Sequence, residues 1–156
     1  MKKRILIKQH DITDCGAACL ASVSAHFNLK VPVAHIRQLA STDRRGTNIL
    51  GLIEAAERLG FTAKGVKGPF ESLYKIPKPA ILHVIVNKVL HHFVVFYGIT
   101  KTHIKIMDPS DGKIHKRKLS EFQQEWTGVI VLLVPSEEFK IENKNESIGK
   151  KFINLL

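Results

Sequence analysis

Apolar residues in the first half of the chain recur at the three- and four-residue spacing of helices, and in the second half they follow the shorter period of strands. A short strand is expected near Ile5, followed by a helix over 15–27 with Asp14 at its N-cap, where small residues such as Gly16, Ala17, Ala18 and Ala21 permit close packing. A second helix is predicted over 32–40, with Pro32 in its first turn. A third starts after Thr47 or Asn48, carries Ile49, Leu52, Ile53, Ala56 and Leu59 at helical spacing, and stops at Gly60. Strands follow over 61–66, 80–86, 92–99, 103–108, 113–118 and 128–134, with a short helix over 120–126 before the last. Helices first and strands afterwards, with Pro69, Pro77 and Pro79 between, predict an α+β fold with an antiparallel sheet.

Composition narrows the class. A chain of 156 residues that is 44% hydrophobic suffices for one domain with its own core. The basic start, Lys2 to Arg4, is followed by too short an apolar stretch for a signal peptide. The longest aliphatic run, Val129 to Val134, is far below the roughly 20 residues that span a bilayer, so a soluble domain is expected. Beyond Pro135 the composition turns to Glu, Lys, Asn and Ser, as in a linker. Two cysteines are too few for a disulfide scaffold and fit a reducing compartment. The net charge of +10 suits nucleic acid, an anionic surface or an acidic peptide, but without an aromatic-plus-basic repeat no nucleic-acid role is expected.

Candidate chemistry begins at Cys15. In the first turn of a helix, free N–H groups and the helix dipole favour a thiolate, although an inert buried thiol also fits that position. Cys19, one turn deeper, is expected in the core. A hairpin turn centred on Thr100 would pair His92 with Asp108, Val94 with Ile106 and Phe96 with Ile104, all on one face. Asp108 would then orient His92, and the first helix laid across this face would bring Cys15 to the imidazole. His91 falls on the opposite face and is the weaker candidate; His10, His26, His35, His83, His103 and His115 show no comparable arrangement. Taken singly, His92 is equally a strand-end histidine with a satisfied hydrogen bond, and Asp108 a turn residue before Pro109. Gln9 is near enough in sequence to donate its amide to an oxyanion, or is a surface glutamine. A metal site from Cys15, Cys19 and His92 lacks a fourth ligand and usual spacing.

The run Gln9-His10-Asp11-Ile12-Thr13-Asp14-Cys15-Gly16-Ala17-Ala18-Cys19, with His92-Phe93-Val94-Val95 and Asp108-Pro109, resembles the C39 family of double-glycine leader peptidases over roughly residues 5 to 135. The resemblance implies a papain-like cysteine peptidase with a helical subdomain packed on an antiparallel sheet, spanning residues 1–136, with 137–156 leading to a transmembrane domain. It implies Cys15 as nucleophile, His92 as general base, Asp108 as orienting acid, and Gln9 with the Cys15 backbone N–H as oxyanion hole. The implied substrate is a bacteriocin, lantibiotic or signalling precursor whose helical leader packs into a shallow groove, cleaved after Gly-Gly, Gly-Ala or Gly-Ser; the helical half, including Leu50 and Ile53, is a reasonable location for the groove, with no groove residue assigned. The implied partners are the membrane and ATPase domains of an ABC transporter at the cytoplasmic side of the bacterial membrane, where ATP and Mg would bind. The resemblance implies no cofactor or metal for the peptidase domain itself, which would be monomeric alone and homodimeric in the transporter. A non-catalytic leader-docking domain is the alternative.

Overall fold

The computed structural model describes residues 14–40 and 48–137. Gln9, the strand expected near Ile5 and nearly all of the segment 137–156 lie outside the described residues. Among the described residues four helices, α1 (Cys15–His26), α2 (Val33–Leu39), α3 (Ile49–Arg58) and α4 (Leu119–Glu125), accompany six strands. The strands are β1 (Phe61–Lys67), β2 (Ala80–Val86), β3 (Leu90–Ile99), β4 (His103–Asp108), β5 (Lys113–Lys118) and β6 (Trp126–Pro135). They form one antiparallel sheet in the order β1-β6-β2-β3-β4-β5. A 3-10 turn at Phe70–Tyr74, not foreseen from the pattern, lies between β1 and β2.

Each face of the sheet carries its own core. Ile81, Phe93, Val95, Met107, Val131 and Leu133 face α1, α2 and α3. Leu82, Val94, Phe96, Ile104 and Ile106 pack on the other side against Leu73 and Phe122. Helix α1 is buried from Cys15 to Ala25, and its alanines let it lie close to β3 on one side and the other helices on the rest. Asn48 caps α3, its side-chain oxygen accepting from the Gly51 N–H at 2.7 Å. Asp14 precedes α1 but makes no side-chain cap bond. Its buried carboxylate instead lies 3.0 Å from Arg37 Nε of α2, without hydrogen-bond alignment at that oxygen. Among the described residues no helix is long and apolar enough to cross a membrane.

Two expectations about the sheet are corrected. The β3–β4 register pairs Val95 with Met107 and Phe96 with Ile106, then, beyond a bulge, Gly98 with Lys105 and Ile99 with Ile104. Ile106 therefore faces Phe96, not Val94. The cause is local: the Thr100 hydroxyl accepts from the N–H of Thr102 at 3.3 Å and of His103 at 3.0 Å, so the turn forms after Thr100 rather than around it. The second correction concerns the face. Helix α1 covers Phe93, Val95 and Met107, opposite to the Val94, Phe96 and Ile106 side.

Candidate active site

Ahead of the bulge, on the side of His92, the displaced register moves the partner of each β3 residue by two positions, and a shift of two keeps those side chains on their face. His92 and Asp108 consequently still meet, as diagonal rather than directly opposed neighbours. Nε2 of His92 lies 2.8 Å from Oδ1 of Asp108. The β3–β4 ladder extends only to Val95 and Met107, so both residues stand past its end. There the first turn of α1 reaches them, and Cys15 hydrogen-bonds His92. With Nε2 committed to Asp108, Nδ1 is the ring nitrogen left for the thiol. Cys15, His92 and Asp108 are thus together at the border of the helical layer, although α1 lies on the face not expected.

The electrostatics follow from this contact. Burial alone would lower the pKa of His92, but its hydrogen bonds to Asp108 and Cys15 and the charges of both outweigh it and raise it from 6.5 to about 9. Burial acts to raise the pKa of Asp108, yet the His92 bond and two bonds from Ser110 hold it well below the usual carboxylate range. Ser110 donates its N–H at 2.9 Å and its hydroxyl at 2.7 Å to Asp108 Oδ1. Sequence reasoning missed Ser110; the Asp-Pro-Ser spacing of an Asx turn was the available signal. Cys19 is fully buried, and burial first, then the charges of Cys15 and Asp108, push its thiol well above its ordinary value.

A groove adjoins the site along β3. It holds about 470 Å³ and is lined by Asn48, Ile49, Leu50, His83, His91 and Phe93. Leu50 is 78% exposed there, whereas Ile53 faces Gly65 of β1. His91 Nδ1 lies 3.1 Å from His83 Nε2, and His83 Nδ1 lies 3.0 Å from the Thr127 hydroxyl, so His91 belongs to the groove and not to the Cys15–His92–Asp108 cluster. Among the described residues no three His, Cys, Asp or Glu side chains are arranged to hold a metal ion.

Residues 3–138 match the Peptidase C39 family. The chain is 39% identical over 142 residues to the lactococcin-G-processing and transport ATP-binding protein LagD of Lactococcus lactis, covering 90% of this chain and 20% of that protein. It is 35% identical over 158 residues to the transport/processing ATP-binding protein ComA of Streptococcus pneumoniae, covering 99% of this chain and 22% of that one. The chain therefore spans about a fifth of the length of these relatives. Among solved structures it is similar to the peptidase domain of Streptococcus ComA, a bifunctional ABC transporter in a quorum-sensing pathway. That match has a TM-score of 0.80 at 37% identity, over 86% of this chain and 100% of that one. A double-glycine-motif protease from an AMS/PCAT transporter, in complex with a leader peptide, matches with a TM-score of 0.79 at 34% identity, over 86% of this chain and 94% of that one.

Proposed function

Since the chain belongs to the Peptidase C39 family, we propose that it is a cysteine peptidase that removes the leader from a precursor peptide after a Gly-Gly, Gly-Ala or Gly-Ser pair. The contact of Cys15 with His92, itself bonded to Asp108, is the observation that carries this reading. With its pKa raised to about 9, His92 already holds the proton shared with Cys15 at Nδ1, and the Cys15 sulfur attacks the scissile carbonyl carbon, forming a C–S bond as the carbonyl electron pair moves to oxygen. The Cys15 backbone N–H at the start of α1 and the Gln9 amide stabilise that oxyanion. Collapse of the intermediate breaks the C–N bond, with His92 returning its proton to the leaving amine. Water then attacks the thioester with His92 as base, releasing the leader and restoring the thiol. Asp108, anchored by Ser110, keeps the imidazole turned toward sulfur throughout.

The leader occupies the groove of Ile49, Leu50 and Phe93 as an amphipathic helix, a recognition mode that apolar grooves of this kind support. His91 in the groove directly precedes His92 in the triad, so a docked leader runs toward the scissile bond. Small residues at the cleavage pair are favoured because a narrow channel at the sulfur rejects side chains by steric clash. In the longer transporter the domain faces the cytoplasm, and residues 137–156 connect it to membrane and ATPase domains that bind ATP and Mg and pair as a homodimer. Incubating the protein with a Gly-Gly precursor and reading products by mass spectrometry tests the proposal. Cleavage between the second glycine and the cargo, abolished in Cys15→Ala, is expected. Binding without turnover by the unmodified chain would instead establish a docking domain.

A further inference from the structure

The end of β4 remote from Asp108 borders a small basic cavity that peptide cleavage does not use. It holds about 190 Å³, and its walls include Lys78, Gly98, Thr100, His103, Lys105 and Lys116. Gly98 of β3, Lys105 of β4 and Lys116 of β5 are successive partners across the sheet. The β3 bulge between Phe96 and Gly98 sets this row, and bulges commonly re-aim side chains at functional positions. A Cβ at Gly98 would meet nothing within 4 Å, so the space over the glycine is open.

Charge gives the open space its chemistry. Lys105 and Lys116 are directly opposed on adjacent antiparallel strands, an arrangement in which like charges destabilise a sheet. Lys78 adds a third ammonium from the segment ahead of β2. None of the three forms an ion pair among the described residues, and no acidic side chain is among those lining the cavity. Lysines on an edge strand protect it from pairing with another sheet. That accounts for Lys116 on β5, but neither for Lys105 on the strand inside it nor for Lys78. Thr100 is engaged in its own turn and His103 with Thr102, so recognition falls to the ammonium groups.

We propose that this cavity binds a phosphate group, supplied by free phosphate or by the headgroup of an anionic lipid. A tetrahedral oxyanion offers several acceptors to the ammonium groups of the lining lysines, of which Lys78 Nζ lies 5.8 Å from the Phe96 ring centroid, and relieves the repulsion between Lys105 and Lys116. The proposal is independent of peptide cleavage. In the experiment, amide chemical shifts of the 156-residue chain are followed during titration with inorganic phosphate, alongside co-sedimentation with phosphatidylglycerol or phosphatidylcholine vesicles. Saturable shifts at Gly98, Lys105 and Lys116 assign the site to free phosphate; binding to phosphatidylglycerol vesicles alone assigns it to a lipid headgroup. In either case Lys105→Gln/Lys116→Gln should weaken binding at least about tenfold, as expected for losing charge-assisted hydrogen bonds. Lys64→Gln/Lys67→Gln, the same change of charge on β1 at the far edge, should leave it nearly unchanged. Equal weakening by both variants, or no saturable response to either probe, overturns the proposal.

Discussion

At the scale of single residues, His92 and Asp108 make stability depend on pH in opposite directions. The folded pKa of His92, about 9, lies above its ordinary 6.5, so its protonated form stabilises the fold; this contribution is complete below pH 6.5 and is lost as pH rises through about 9. The depressed Asp108 contributes above its ordinary 3.8 and loses that contribution as the carboxylate is protonated at lower pH. The stability difference between the unmodified chain and His92→Gln, from urea unfolding, should therefore be largest near about pH 6 and shrink toward about pH 10. A difference independent of pH would contradict the ion pair. Cys19 differs from Cys15 by one helical turn, yet its burial holds it as a thiol, which leaves Cys15 as the nucleophile of the proposed reaction.

At the scale of elements, packing between helices competes with propensity. Gly51 lies in the first turn of α3, where alanine is favoured over glycine by about 1 kcal/mol. A Cβ there would stand 2.5 Å from the backbone carbonyl oxygen of Ala40, which ends α2, so α3 must move away from α2 to admit it. Gly51→Ala should accordingly destabilise the protein by about 1 to 3 kcal/mol, the usual cost of overpacking, despite the gain in propensity. Urea midpoints decide the sign, and a stabilised variant would show that the α2–α3 contact yields easily. The elements themselves were legible because their periods differ: α3 alternates buried Leu52, Ala55 and Ala56 with exposed positions, and β4 and β5 match their expected bounds of 103–108 and 113–118. Register was less legible, since one hydroxyl, that of Thr100, moved the turn.

For the whole molecule, two cores on opposite faces of one sheet separate stability from the site. Phe122 of α4 is fully buried in the core away from α1. Phe122→Ala should cost about 3 to 5 kcal/mol, while the rate at which iodoacetamide alkylates Cys15, measured below the lowered melting temperature, stays unchanged. An altered alkylation rate in the folded variant would mean that the far core also positions the triad. Cys15, His92 and Asp108 lie where α1 passes the open end of the β3–β4 ladder, so they depend on the placement of α1 against β3 more than on the layer behind the sheet.

The sequence by itself determined the element types, the α+β class and the family motif, because these rest on local period and on residue identities, whereas strand parity did not choose His92 over His91, since α1 covers the face of Phe93 and Val95. Which face α1 covers was decided only by the tertiary structure. Phe93 to Phe96 is an unbroken apolar run buried on both sides, so β3 carries no alternation from which to choose a face. The same holds for Asp14, whose local role as a helix cap gave way to Arg37 once α2 folded beside it. It holds also for the Lys78, Lys105 and Lys116 cavity, whose members lie far apart in sequence and meet only when the register of three strands is set.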